Sequence, residues 1–394
     1  MGTARMGSTG ISRGARWVFP VLGLLLAGCQ TKDFVPASSG SKVPAATTAQ
    51  QPAQAANQTF GAGAVRVGFL AIKRQNQSLR QADSDYRSGA AFAVNRLGGD
   101  AVQLIVREVP EAPAAISDGA AALGRQGVSF MLTTARGPEV DTVKAGLGGR
   151  PVPILSFQPN GTAVPESAHS FLSSQTDGLV EGASFAMAEG SSQAIVLYAS
   201  PAEKPAAERV SAELRSFGAG VAPPVDVSGG SVSGRSIEAW NKVDMVVIMP
   251  GVKAPGDVIR RTDEQKPPRP GRRIVLADGM PQADMSHPKL TGSIACRFGQ
   301  EVQARIGKSY LANSGMPAST DVGYGFDAMA MAIGLVNRWG EQAFSPEAMM
   351  APEGFSGSLG VFRLEKAGHV RRTCDIFKIA NGSYMFFQRA PSTL

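Results

Sequence analysis

Thr133, Thr134 and Ser156 are the side chains of this sequence whose types and spacing best suit work on a small polar molecule. The two threonines follow the apolar run Val128–Leu132, and the serine follows Val152–Leu155. Each run empties into a loop rich in hydroxyls, Gly and Pro, and the interval between them is long enough for one helix. That is the pattern of a βαβ unit. Such crossovers are right-handed, and in open parallel sheets ligands settle in the crevice outside the carboxyl ends of the strands. The three hydroxyls are therefore expected to crowd one rim. A second role is open to the threonines, since short hydroxyls also satisfy loop backbone.

The other reactive group of note is the thiol of Cys29. Arg13 and Arg16 precede the apolar run Trp17–Leu26, and Leu26-Ala-Gly-Cys29 follows. A positive start, an apolar stretch too short to remain as a membrane span, and small residues before the cut describe a secretory signal. With Cys directly after Leu-Ala-Gly the segment resembles a bacterial lipoprotein signal, in which the thiol takes a diacylglycerol and then heads the mature chain. Residues 1–28 are read as the signal peptide and 29–63, poor in large apolar residues, as a disordered tether that gives the globular part reach above the membrane. Gln30 stands where the rule of thumb for enteric bacteria asks for Asp to retain a lipoprotein at the inner membrane, so the periplasmic face of the outer membrane is slightly favoured. Removing Arg5, Arg13 and Arg16 brings the formal charge from +7 to +4. The remaining charges form no basic block with interleaved aromatics, so no nucleic-acid partner is expected.

Other chemistry is not supported. The three histidines, His169, His287 and His369, fall in turns or loops and form no close pair, so neither a metal site nor a Ser-His-Asp arrangement is expected. There is no G-x-S-x-G, no phosphate-binding loop and no G-x-G-x-x-G. The reading is of a protein that is not an enzyme and carries no cofactor. Cys296 and Cys374 fall in predicted strands of an exported chain, where a disulfide and two buried thiols are both open.

The elements that must hold the rim alternate strand and helix. Val65–Ile72, Val102–Val109, Val128–Leu132 and Val152–Leu155 read as strands, with helices from about Gln81 to Leu97 and over Ala112–Gln126. A second series follows a helix at about Leu179–Ala188 that Thr176 or Asp177 would cap: strands at Ala194–Tyr198, near Val225, at Val243–Met249, Arg273–Ala277 and Leu290–Phe298. Helices over about Glu301–Ala312 and Phe326–Trp339 come next, the latter apolar almost all round. The chain closes with hairpin material: Gly354–Leu364, Val370–Ile379 and Tyr384–Phe387, with Asn381-Gly382 as a tight turn. A chain of 394 residues, 43% hydrophobic, can fill more than one core, and the alternation predicts α/β architecture in two doubly wound, Rossmann-like lobes.

From Val65 to Phe387 the sequence resembles the type I periplasmic binding proteins, the leucine-binding-protein-like family, and within it the lipoproteins called penicillin-binding-protein activators. The resemblance is carried by Val67-Gly-Phe-Leu, Thr133-Thr-Ala-Arg-Gly-Pro, Val152-Pro-Ile-Leu-Ser156, Tyr324-Gly-Phe-Asp-Ala-Met-Ala, and Phe355-Ser-Gly-Ser-Leu-Gly-Val-Phe-Arg-Leu before Gly368-His-Val. It implies two lobes around a central cleft with three crossings between them: 64–175 and 299–345 in lobe 1, 176–298 and 346–394 in lobe 2. It also implies that Thr133, Thr134 and Ser156 hold the carboxylate of an amino-acid-like ligand, that Asp177 meets its ammonium, and that Asp278 supplies a late acidic contact. Asp177 keeps its alternative as a helix cap. The family's second-lobe clamp is largely replaced: Glu203-Lys204-Pro205 stands where a Tyr-Gly pair is expected, and no aromatic follows Met249. Two functions follow from the resemblance, regulation of a peptidoglycan synthase by a lobe surface, or solute capture for the permease of an ABC importer.

Overall fold

The computed structural model describes residues 57–393. The expected signal peptide, Cys29 and the tether as far as residue 56 lie outside them. Lobe 1 is built on a six-stranded sheet in the order β1-β3-β2-β4-β5-β6. Its strands are β1 (Gln58–Phe60), β2 (Val65–Lys73), β3 (Val102–Pro110), β4 (Phe130–Thr133), β5 (Ile154–Pro159) and β6 (Ala168–Leu172), with helices α1 (Gln77–Ala93), α2 (Pro113–Arg125) and α3 (Pro138–Gly146) in the crossovers. All neighbours from β3 to β6 are parallel. Along β2, Val67, Phe69 and Ala71 enter one core and Leu70 and Ile72 another, which is the two-fold alternation of a strand covered on both faces. β1 shortens the expected tether. Gln58–Phe60 pairs antiparallel with Leu104–Val106, and Phe60 packs against the core, so a backbone ladder orders a stretch whose composition reads as linker.

Lobe 2 holds helices α4 (Gln175–Ala188), α5 (Lys204–Ser216), α6 (Ile237–Trp240), α7 (Pro255–Gln265) and α8 (Gln282–Met285), and strands β7 (Gln193–Tyr198), β8 (Gly220–Val221), β9 (Val225–Asp226), β10 (Met245–Ile248), β11 (Arg273–Leu276) and β12 (Ile294–Arg297). The chain then returns to lobe 1 with α9 (Lys308–Ser314), α10 (Thr320–Trp339) and α11 (Pro346–Met349), followed by a three-stranded sheet of β13 (Phe355–Gly357), β14 (Gly360–Leu364) and β15 (Val370–Arg372). It ends in lobe 2, where β16 (Asp375–Ala380) and β17 (Ser383–Gln388) extend the sheet as an antiparallel pair, β16 against β12. Asn381 and Gly382 both have positive φ, 53° and 68°, as the tight hairpin turn requires.

Residues 346–372 therefore belong with lobe 1, not with lobe 2 as the sequence suggested. Met349, Leu359, Phe362, Leu364 and Val370 share a core with Phe69, Tyr86 and Phe171. Val370–Ile379 reads as one strand but is two, broken at Thr373-Cys374 where the chain changes sheets. Both halves are buried, so hydrophobicity runs through the break unmarked. The lobes are crossed three times, near residues 173, 299 and 373, and a disulfide between Cys296 and Cys374 ties the second crossing to the third.

Close helix packing holds lobe 1 together. α10 lies against α1, and two glycines make the approach possible. A Cβ on Gly89 would strike the Val322 carbonyl, and one on Gly325 would strike that of Tyr86.

Candidate functional site

The βαβ unit forms as expected, with Thr133 of β4 opposite Ser156 of β5 in the parallel ladder. The hydroxyls do meet at one rim, but none faces solvent: Thr133, Thr134 and Ser156 are each 0% exposed. Thr133 Oγ1 donates to the Leu70 carbonyl (3.0 Å) and accepts from the Ala135 N–H (3.0 Å). Thr134 Oγ1 accepts from the Ile72 N–H (2.9 Å), and Ser156 Oγ donates to the Ala135 carbonyl (2.6 Å). As β4 ends, its backbone loses the ladder, and the chain's own hydroxyls replace the missing partners.

Charged side chains cover the same rim. Arg74, directly after β2, is 5% exposed and reaches Glu139 (2.6 Å), Glu111 (2.8 Å) and the Thr134 carbonyl (2.8 Å). Arg136 pairs with buried Asp83 at 3.1 Å. Burial pushes the Asp83 carboxyl up to about 6, against the opposing pull of Arg136 and Arg74. Burial also works against the Arg74 charge, but Glu139, Glu111 and Asp83 together raise its pKa. Gln158 fills the remaining space, accepting from Gly137 N–H (2.7 Å) and donating to Ser170 Oγ (3.1 Å).

Both candidate acids are likewise engaged. Asp177 is the N3 residue of a capping box with Ser174 at the start of α4, accepting from the Ser174 N–H at 2.6 Å. Its cation is Arg209 of α5, at 3.2 Å. It also accepts from Asn160 Nδ2 (3.1 Å), and the Asn160 amide in turn bonds both the N–H and the carbonyl of Val370 (3.1 and 2.6 Å). The N-cap is therefore Ser174 and not Thr176 or Asp177; Asp177 completes the capping box and joins the lobes, and Arg371–Glu181 (2.7 Å) braces the same junction. Asp278 accepts from the Gly279 N–H and pairs with Arg297 Nε at 2.9 Å, while Arg297 lies over the rings of Phe377 and Tyr384. What remains open at the carboxyl ends of β10 and β11 is a cavity of about 140 Å³ lined by Gln175, Lys253, Asp278 and Asp284.

Sequence reasoning located the rim and missed what fills it. Arg74, Asp83, Glu139 and Asn160 come from four separate loops and helices, and only their positions just after β2, at the start of α3 and just after β5 hinted at the carboxyl edge. A second buried pair was equally hidden. Asp327 and Arg372, both fully buried, meet at 2.7 Å. Arg372 is ringed by Phe171, Tyr324 and Phe362, 4.5–5.2 Å from its guanidinium carbon.

No family model matches the chain, and no curated protein matches it in sequence. Solved structures do resemble it in shape. One is a Rhodospirillum rubrum protein named as a branched-chain amino acid ABC transporter, with a TM-score of 0.58 at 13% identity over 82% of this chain and 99% of that one. Another is a branched-chain amino acid ABC transporter periplasmic ligand-binding protein of Burkholderia xenovorans, with a TM-score of 0.51 at 13% identity over 84% and 95%. A third is LpoA of Haemophilus influenzae, with a TM-score of 0.54 at 12% identity over 84% of this chain and 59% of LpoA. Two doubly wound lobes, three crossings and these likenesses together give the chain the type I periplasmic-binding-protein fold.

Proposed function

We propose that this is a non-enzymatic, exported protein, held at the periplasmic face of a membrane by a lipid on Cys29, that regulates a peptidoglycan synthase through a lobe surface. The observation that carries this reading is the state of the family's ligand positions. Thr133, Thr134 and Ser156 are buried against their own loop, Asp177 is paired with Arg209, and Asp278 with Arg297. A solute carrier keeps such groups available for its cargo. The sequence resemblance to penicillin-binding-protein activators and the likeness in fold to LpoA support the same assignment. Among the described residues no helix is long and apolar enough to cross a membrane, which fits attachment through the N-terminal lipid, with the outer membrane the favoured site.

The second reading is the substrate-binding component of an ABC importer for amino acids or related solutes. The cavity at Asp278 and Lys253 favours it, as does the likeness to the R. rubrum and B. xenovorans proteins. Thermal-shift screening with amino acids, paired with crosslinking to purified peptidoglycan synthases, separates the two. The regulator reading expects no stabilising solute and a crosslinked synthase that is stimulated. A solute that raises the melting temperature by several degrees in the wild type but not in Asp177→Ala would overturn it in favour of the importer.

A further inference from the structure

β17 is the outermost strand of the lobe 2 sheet, and among the described residues β16 is its one neighbour. Its sequence, Ser383-Tyr-Met-Phe-Phe-Gln388, carries no charge and no proline, although charged residues and proline are what usually keep an open edge from pairing. Met385, Phe386 and Phe387 are 53, 57 and 47% exposed. The rings are held in place nonetheless. Phe386 meets the Phe377 ring edge to face at 5.7 Å, Phe387 meets Phe185 at 5.9 Å, and the Lys378 ammonium lies 3.4 Å from the Phe387 ring centre. Adjacent large apolar side chains on an ordered, open edge mark a contact surface.

The turn before β17 dictates which backbone groups this edge offers. Asn381 and Gly382 both have positive φ, as in a two-residue hairpin, so Ala380 and Ser383 flank the turn as a hydrogen-bonded pair. Bonded and open pairs alternate along an antiparallel ladder. Lys378 and Met385 are therefore a bonded pair, while Ile379 with Tyr384 and Phe377 with Phe386 are open ones. The N–H and C=O of Tyr384 and Phe386 point away from β16, and they have no backbone partner outside the sheet. A bulge at Phe387 ends the regular stretch.

An identical strand is the complement of these groups. With β17 run antiparallel to itself and Met385 on the two-fold axis, Tyr384 of each copy lies opposite Phe386 of the other, and every outward N–H meets an outward C=O. The side chains agree with this register: aromatic meets aromatic on one face of the sheet, and Met385 meets Met385 on the other. The charges agree as well. Arg389 falls opposite Asn381, and the two Lys378 residues stand three strand spacings apart, about 14 Å, which exceeds the screening length of about 8 Å.

We propose that β17 joins two copies of this chain edge to edge, so that the lobe 2 sheets of both run together as one through a two-fold contact. Large side chains bury about 150–250 Å² each, so three that are half exposed give roughly 300 Å² per copy, well under the ~800 Å² per partner of a standard interface. The dimer is accordingly weak and reversible. It does not depend on the regulatory assignment above.

Sedimentation velocity on the chain from residue 29, kept free of lipid by Cys29→Ser, tests the assignment. Over about 5–500 µM, the range a contact this small calls for, the weight-average mass should climb from one chain toward two and no further, because pairing uses up the edge. Met385→Lys and Met385→Glu each set like charges opposite one another on the axis and should keep the protein monomeric. An equimolar mixture of the two variants should dimerise at least tenfold more tightly than either alone. The proposal is overturned by a wild type that stays monomeric at the highest concentration, by association that continues past two chains, by a dimer unaltered in both variants, or by a mixture that stays monomeric with both variants folded by circular dichroism.

Discussion

Replacing Arg372 with Met should destabilise lobe 1 by about 3–5 kcal/mol, the usual cost of breaking a buried ion pair by removing one partner. The geometry explains the size. Both side chains are fully enclosed, and the guanidinium meets the Asp327 carboxylate at 2.7 Å. At an effective dielectric of about 20, two unit charges about 4 Å apart attract by about 4 kcal/mol. Asp327 also accepts from the N–H groups of Ser358 and Leu359, so it cannot turn away once Arg372 is gone. Arg372 in turn sits among three rings that offer only their faces, so Asp327→Asn should cost a comparable amount. The double variant Asp327→Asn/Arg372→Met has no stranded charge and should lose about 2–3 kcal/mol less than the sum of the singles. Urea unfolding followed by tryptophan fluorescence measures this, because Trp339 reports on lobe 1 and Trp240 on lobe 2. Either single variant within about 1 kcal/mol of wild type, or additive losses in the double, would refute the reading of Asp327 and Arg372 as a coupled buried pair.

Asp83 gives lobe 1 a pH dependence of definite sign. Its carboxyl is pushed up to about 6 from the ordinary 3.8, so folding favours the protonated form. The stability it contributes is full below about pH 4 and lost as pH rises through about 6, by roughly 3 kcal/mol at 1.36 kcal/mol per unit. Urea midpoints at pH 4 and 7 should show that difference between wild type and Asp83→Asn. Gly89→Ala or Gly325→Ala should each lower stability by more than about 3 kcal/mol, beyond ordinary overpacking, because the new methyl meets a backbone carbonyl and not a movable side chain; a midpoint unchanged in either variant would contradict the helix contact. Asn160→Ala strips the Val370 N–H of its acceptor, and exchange of that amide should quicken about 10- to 100-fold, corresponding to about 1–3 kcal/mol. Reducing the Cys296–Cys374 bond, which closes a loop of 78 residues, should cost about 4 kcal/mol, read as a fall in urea midpoint with added reductant.

What the sequence determined by itself is local and periodic. Alternating strand and helix signals, the βαβ unit from Val128 to Thr162 and the Asn381-Gly382 turn follow from patterns a few residues long, and they imply two doubly wound lobes. A helix start near Asp177 was legible for the same reason, but the N-cap is Ser174, with Asp177 as its N3 partner, and not Thr176 or Asp177. Tertiary structure decided everything that depends on which distant groups meet. It placed 346–372 in lobe 1, because Phe362 and Leu364 find Phe171 and Tyr86 there, and it split Val370–Ile379 at a change of sheet that hydrophobicity does not mark. It also decided the state of the rim. A hydroxyl after a strand can serve a ligand or its own loop, and Thr133, Thr134 and Ser156 serve the loop because backbone groups of Leu70, Ile72 and Ala135 lie within hydrogen-bond reach. Whether an acid is free is a question of its partner, and Arg209 and Arg297, 32 and 19 residues away in the chain, are the answer for Asp177 and Asp278.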